Sequence, residues 1–319
     1  MDVRGKRVTV MGLGRHGGGT AAASYLAQVG AEVTVTDLAD ERTLADSLAV
    51  LEAAGVTRFR LGGHREADFE SADVVLVKPA VRPGHALVET ALRHGAHVTS
   101  EIDLVLDACQ AQVVAVTGSN GKSTTAAMIA AILEADGCCT WLGGNIGRSL
   151  LEDVGQIERG DWAVLELSSV QLAHMADKPR ELAVAVVTNC TPNHLDWHGS
   201  QDHYARSKRR LLGFQNADGI AVFDDGDPTL AEWMTDVRGR HVTPLEVEEL
   251  PPLGVPGAHN VPNASAAAAA AQAVGCSGEA VARGLAEFRG LPHRLQCVAH
   301  VDGRAFYDDS SATTPESTI

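Results

Sequence analysis

Short apolar runs of β-branched residues alternate with longer stretches of helical spacing along most of the chain. "RVTVMGLG" leads into a helix through Leu26, "AEVTVTD" and "ADVVLVKPA" follow, and a helix through Leu92 precedes "AHVTS". This rhythm predicts a parallel sheet with helices on its faces, an α/β, Rossmann-like unit over residues 1–107. The pattern restarts at "QVVAVTGSNGKSTTAAMIAAILEADG". There a buried strand feeds a glycine loop, and an amphipathic helix is expected with Met128, Ile129, Ile132 and Leu133 on one side, stopped by Gly137.

Further strands are predicted at "WAVLELSS", "LAVAVVTNC" and "GIAVFDD". The proline-rich, acidic Leu245 to Gly257 reads as a surface connection, and "NASAAAAAAQAVG" as a buried helix. Together these give a P-loop-type central domain with a parallel sheet over 108–290. Residues 291–319 read as a linker, with a hairpin around Asp302 and Gly303, and the opening of a third domain with too few residues to complete it.

Composition narrows the function classes. With 319 residues, 45% hydrophobic and 21% charged, the chain suits two globular domains and lacks any run able to span a bilayer. No export signal is apparent at the N-terminus, so a cytoplasmic location is expected. Six cysteines without C-x-x-C pairs point to ordinary buried thiols. The formal net charge of −15 disfavours nucleic acid and anionic membrane as partners, so any phosphate ligand must be held by local groups. A monomer is expected.

Two glycine loops carry the candidate chemistry. In "GLGRHG" (Gly12, Leu13, Gly14, Arg15, His16, Gly17) the glycines fit G-x-G-x-x-G between a strand and a helix, and Asp37 closes the next strand. Backbone amides and a helix N-terminus in such a loop suit any nucleotide diphosphate. In "GSNGKST" (Gly118, Ser119, Asn120, Gly121, Lys122, Ser123, Thr124) the gap between glycines is shorter than in the general P-loop, yet the order of strand, loop, lysine, hydroxyls and helix is that of a polyphosphate site with Mg²⁺. Glu166 in "LELSSVQL", His194 in "TNCTPNHLDWHG" and Lys208 in "YARSKRRLL" add a strand-end carboxylate, an imidazole and a lysine. Glu166 fits an Mg²⁺ ligand beside a P-loop strand. Lys208 does not, since an ammonium cannot coordinate a cation.

With these motifs the chain resembles the Mur ligases of peptidoglycan synthesis, and within them the branch that adds glutamate to UDP-N-acetylmuramoyl-L-alanine. "GLGRHG" with Asp37, "GSNGKST", "GGNIG", "LELSSVQL", "NHLD", Lys208, "GAHNVPNASAA" and "LPHR" occur in that family's order. The resemblance implies a cytoplasmic ligase of cell-wall biogenesis, hence of cell shape and division. Its substrates would be ATP, UDP-N-acetylmuramoyl-L-alanine and glutamate, joined through an acyl phosphate. It also implies the site. Lys122, Ser123 and Thr124 would hold ATP phosphates and Mg²⁺. Asn263 and Arg294 would hold the nucleotide, and Asp309 its ribose. Glu166 and His194 would serve a second Mg²⁺, with Lys208 carbamylated into a carboxylate. The Gly12 to Gly17 loop would sit near the uridine diphosphate, and Asn145, Ser169 and Gln171 would contact the muramoyl-alanine part.

Three departures stand out. Lys78, Pro79 and Ala80 replace the family's S-P-G, which points to Lys78 at the diphosphate. Asp308 and Ser311 stand where Asn and Lys are usual, leaving D-glutamate, L-glutamate or another amino acid open. The family's C-terminal domain is not present before Ile319, so this chain alone is expected to bind UDP-sugar and turn over poorly. A catalytically silent nucleotide-binding relative and a dinucleotide-dependent oxidoreductase are the competing classes.

Overall fold

A computed structural model describes residues 1–13 and 17–310. Two compact units are present. The first comprises 1–110 with 143–158 and 169–178, and the second 111–142, 159–168 and 179–319.

The first unit holds a five-stranded sheet of β1 (Arg7–Met11), β2 (Glu32–Thr36), β3 (Arg58–Arg60), β4 (Val74–Val77) and β5 (His97–Thr99) in the order β3-β2-β1-β4-β5. All its pairings are parallel. The crossovers carry α1 (Gly18–Gln28), α2 (Ala45–Ala53), α3 (Glu66–Glu70) and α4 (Ala86–Arg93), and α5 (Glu101–Ala108) follows β5. The order reverses at β1, so the loop after β1 opens at a topological switch point, where α/β sheets bind ligands. α5 starts at a capping box, Ser100 with Asp103, a strong local start signal.

The second unit is built on β6 (Gln112–Thr117), β7 (Thr140–Gly144), β8 (Trp162–Glu166), β9 (Leu182–Val187), β10 (Ile220–Val222) and β11 (Arg240–Val242), ordered β11-β10-β9-β6-β8-β7. β6 lies between β9 and β8, paired parallel to both, and the second glycine loop leaves its carboxyl end. The helices are α6 (Lys122–Ala135), α7 (Ser169–His174), α8 (Leu195–His198), α9 (Gln201–Phe214), α10 (Pro228–Ala231), α11 (Asn260–Ala273) and α12 (Gly278–Glu287), of which α7 belongs to the first unit. The antiparallel hairpin β12 (Gln296–Val301) and β13 (Arg304–Asp308) ends the described chain, and Asp302 and Gly303, both with positive φ, make its turn as the sequence predicts.

α6 is not the one-sided amphipathic helix expected. Thr125 to Ala130 are all buried, as are Ile132 and Leu133, because α6 packs on the sheet and also against α11 and α12. The alanine run of α11 explains how: Ala264 and Ala266 to Ala271 are all buried, and small side chains let two helix backbones approach. On α12, Gly284 does the same. A Cβ there would stand 2.7 Å from Ile132 Cα and 2.9 Å from Ile132 N. Gly284→Ala is therefore expected to destabilise by about 1–3 kcal/mol through overpacking, against the ~1 kcal/mol that Ala gains over Gly in a free helix. A urea melt reads the sign directly.

The cysteines also differ from expectation. Cys190 and Cys276 are buried, but Cys139 and Cys297 are exposed. No helix among the described residues is long and apolar enough to cross a membrane.

Candidate active site

The loop after β6 is shaped by glycines at both ends. Gly118 has φ of 151° and Gly121 has φ of 80°, backbone that L side chains rarely adopt, and a Cβ on either would collide with Thr188 or Asn263. Between them, Asn120 N–H donates to Asn189 Oδ1 (2.9 Å), while Thr188 Oγ1 (2.6 Å) and Asn189 Nδ2 (3.0 Å) donate to Asn120 O. Ser119 is buried and pinned three ways. Its hydroxyl donates to Thr191 O (2.8 Å), and it accepts from Thr191 N–H (2.9 Å) and from the Tyr204 hydroxyl (2.8 Å). The segment after β9 thus anchors the loop. Gly121 caps α6 without a side-chain bond, so the first N–H groups of α6 face outward with the positive end of the helix dipole.

Cations converge on this loop. Lys122 Nζ donates to Ser119 O at 2.9 Å. Burial, with Arg294 adding to it, pulls its pKa down, and Glu166 opposes that. Arg294 Nη2 donates to Ser123 Oγ at 2.9 Å. Lys208 lies beneath the loop, 1% exposed, its Nζ donating to Gly118 O at 2.6 Å and standing 4.7 Å from the Tyr204 ring centroid. Its place follows from α9. Tyr204, Ser207, Lys208, Leu211 and Leu212 share the buried face at helical spacing, so a lysine occupies a core position. Burial first and Lys122 second lower its pKa to about 7, against the opposing pull of Cys190 and Glu166.

Glu166 ends β8 in register with Val116 and is 2% exposed. Its charge is felt by both Lys122 and Lys208. His194, at φ 50°, caps α8, and burial, Lys122 and Lys208 lower its pKa, which favours the neutral imidazole. A cavity of about 1180 Å³ opens here, lined by Ser119 to Thr124, His194, Asn263, Arg294 and Asp309 among others. Asp309 Oδ1 also accepts from Leu295 N–H at 3.0 Å, tying the hairpin's end to the segment that bears Arg294. Asp308 belongs to the same support. The Ser310 N–H and then His293, 2.6 Å away, hold its pKa down at about 2.

The structure therefore brings Lys122, Ser123, Thr124, Glu166, His194, Lys208, Asn263, Arg294 and Asp309 into one region of the second unit. Asn145, Ser169 and Gln171 belong to the first unit. Asn145 is exposed, and Ser169 and Gln171 are buried.

In the first unit, Asp37 follows β2 and spends both oxygens on backbone: Oδ2 accepts from Leu13 N–H (2.8 Å) and Oδ1 from Ala39 N–H (2.9 Å). Burial would raise its pKa, but these bonds and Lys78, whose Nζ is 3.9 Å away, bring it down overall. Lys78 lies across Gly12, where a Cβ would stand 2.7 Å from its Nζ. Gly14, Arg15 and His16 lie outside the described residues, as does Ser311. Gly19, in the first turn of α1, is a residue the motif reading missed: a Cβ there would collide with Leu13 O, so α1 packs onto the loop only through glycine. Also missed were Thr188, Thr191 and Tyr204, which shape the second loop, and the His198–His203 pair, Nδ1 to Nδ1 3.0 Å. His198 is buried, and burial followed by His203 lowers its pKa to about 4. A lysine at core spacing on α9 was the available signal for this buried layer.

A switch-point glycine loop in each of two parallel sheets, the second lined by lysines, an arginine and a carboxylate, defines a nucleotide-handling α/β protein. Residues 6–100 match the MurD-like N-terminal domain of Mur ligases and residues 116–250 the Mur ligase middle domain. The chain belongs to the Mur ligase family. It is 37% identical to the UDP-N-acetylmuramoylalanine–D-glutamate ligase of Pelotomaculum thermopropionicum, over all of this chain and 74% of that protein. It is also 37% identical to the enzyme of the same name from Geobacillus kaustophilus, over 97% of this chain and 72% of that one. The fold is shared with UDP-N-acetylmuramate–alanine ligase MurC from Thermotoga maritima, with a TM-score of 0.60 and 21% identity over 98% of this chain and 75% of that one.

Proposed function

We propose that the chain is an ATP-dependent ligase that joins D-glutamate to the alanyl carboxylate of UDP-N-acetylmuramoyl-L-alanine in peptidoglycan precursor synthesis. The observation that carries this reading is the cleft lined by Ser119 to Thr124 with Lys122 and Arg294, backed by Lys208 and Glu166, which are buried beside the loop and interact electrostatically with Lys122. The curated relatives that bear the name of this activity run the length of the chain.

Loop N–H groups, Lys122 and Arg294 bind the triphosphate, Asn263 and Asp309 the rest of the nucleotide, and Lys122 offsets the charge that shifts as the γ-phosphate passes to the alanyl carboxylate. The acyl phosphate so formed is opened by the glutamate amine, with phosphate leaving. Mg²⁺ suits the donors present. Among the described residues no three His, Cys, Asp or Glu side chains gather to cage a metal, and Mg²⁺ keeps its waters, binding through one or two carboxylates and substrate phosphates. Ser123 and Glu166, with neutral His194, would hold it at two sites, and it would supply electrostatic screening of phosphate oxygens. Lys208, lowered to about 7, has the neutral amine fraction that carbamylation needs, and the carbamate would give a further oxygen donor.

In the first unit the Gly12 to Gly17 loop and Lys78 receive the uridine diphosphate. Asp37 braces that site: Oδ2 accepts from Leu13 N–H in the loop and Oδ1 from Ala39 N–H after β2. The test is phosphate release by a full-length ligase carrying this chain, with ATP, UDP-N-acetylmuramoyl-L-alanine and D- or L-glutamate. Release that needs all three and prefers the D-isomer is expected. Preference for the L-isomer, or release without an amino acid, would overturn the assignment.

A further inference from the structure

The hairpin carries an irregularity that sets up chemistry the ligase reading does not use. Along β12, Cys297 pairs with Tyr307, Ala299 with Phe306 and His300 with Ala305, which leaves Val298 as an extra, bulged residue. In a regular strand residues three apart point to opposite faces. The bulge removes that alternation, because Tyr307 and Ala305 lie on one face of β13 and so place their partners Cys297 and His300 together. The side chains meet: Cys297 Sγ is 3.6 Å from His300 Nδ1, and its other polar neighbour is Ala299 O at 3.9 Å. Both are exposed, and Cys297, His300 and Tyr307 line the same cavity as Arg294 and Asp309.

We propose that Cys297 and His300 form a thiol–imidazole pair that exchanges with low-molecular-weight disulfides, and that the resulting mixed disulfide closes the mouth of the cleft to nucleotide. The imidazole takes the thiol proton as the Cys297 sulfur attacks one sulfur of the disulfide RSSR. A Cys297–SR bond forms, the old S–S bond breaks, and RS⁻ departs and recovers the proton as RSH, so that Cys297 is oxidised and one R group leaves reduced. An anionic adduct of the glutathione class beside Arg294 and Asp309 would compete with a triphosphate for space and for the arginine's charge. The occlusion rests on the cleft being the ATP site, whereas the reactivity of the pair does not.

The probe is 5,5′-dithiobis(2-nitrobenzoic acid) on the folded chain, with released thionitrobenzoate followed by absorbance and labelled peptides assigned by mass. Cys297 is expected to react faster than exposed Cys139. His300→Ala should slow Cys297 by about tenfold and shift its pH profile while sparing Cys139, a modest share of what a positioned base supplies. Saturating ATP should protect Cys297. The chain disulfide-linked to glutathione should lose ATP affinity by at least about tenfold and regain it on reduction, while Cys297→Ser loses none under the same treatment. Equal rates at Cys297 and Cys139, unchanged in His300→Ala, would overturn the pair. Full ATP affinity in a chain shown by mass to carry the adduct would overturn the occlusion. Should the unmodified chain bind no ATP, occlusion falls with the ATP reading, and the labelling rates still decide the pair.

Discussion

Lys122→Met is expected to cost the chain its ATP while leaving the fold intact. Lys122 begins α6 behind a glycine with no side-chain cap, and its ammonium sits in the loop that would receive the phosphates. Removing one partner of a desolvated charge pair typically costs ~2–5 kcal/mol, so ATP affinity should fall on the order of 30-fold to several thousand-fold. Stability should move the other way or not at all. Methionine keeps the apolar stem, and its neutrality relieves the mutual repulsion among Lys122, Arg294 and Lys208. Calorimetric ATP titration beside a thermal melt separates the two: lost affinity at unchanged melting temperature is the expected pair of results. A variant that binds ATP normally would remove Lys122 from the phosphate site.

In a full-length ligase carrying this chain, Lys208→Ala should lower turnover by ~10²–10³-fold or more, as loss of a transition-state electrostatic group does, and a small added carboxylic acid should restore part of it by standing in for the proposed carbamate. The pH dependence follows from the amine's depressed pKa of about 7, set by burial and by Lys122. Only the neutral amine adds carbon dioxide. Carbamylation, and activity with it, should therefore rise with pH through about 7 and with bicarbonate at fixed pH. The same shift has a stability signature. In the unfolded chain this lysine keeps its proton up to its ordinary 10.5, while in the fold it releases it near 7. Between these values the unfolded state binds more protons, so folding stability gains with rising pH, and the gain is absent below about 7, where both states are protonated. Lys208→Met should flatten that part of the pH–stability curve. Full ligase activity in Lys208→Ala would exclude the role.

Much of the fold was legible because local signals and topology agree. The strand, glycine loop and helix after β1 and after β6, and the Asp302–Gly303 turn, each combine a β-branched run with a residue able to take positive φ. The loop residues themselves could be named on the same ground. What the sequence hid is long-range. Ser119 is anchored by Thr191 and Tyr204, 72 and 85 residues away, through hydroxyl bonds that leave no spacing pattern. The all-round burial of α6 depends on alanine and glycine faces of α11 and α12 more than a hundred positions later, so its own periodicity misled. Segments 143–158 and 169–178 join the first unit although they lie within the run of the second, which separates Asn145, Ser169 and Gln171 from the Lys122 loop in the units' composition. Lys208, whose ammonium fits no cation site, is explained by its place on the buried face of α9.

The most direct measurement is calorimetric titration of the chain with ATP, UDP-N-acetylmuramoyl-L-alanine and NAD in turn, each alone and in the presence of the others. Two loops serving two different nucleotides predict one equivalent each of ATP and of the UDP-sugar, bound without competition, ATP alone being lost in Lys122→Met, and no heat from NAD. Binding of NAD displaced by the UDP-sugar, or ATP and the UDP-sugar competing for a single site, would contradict it.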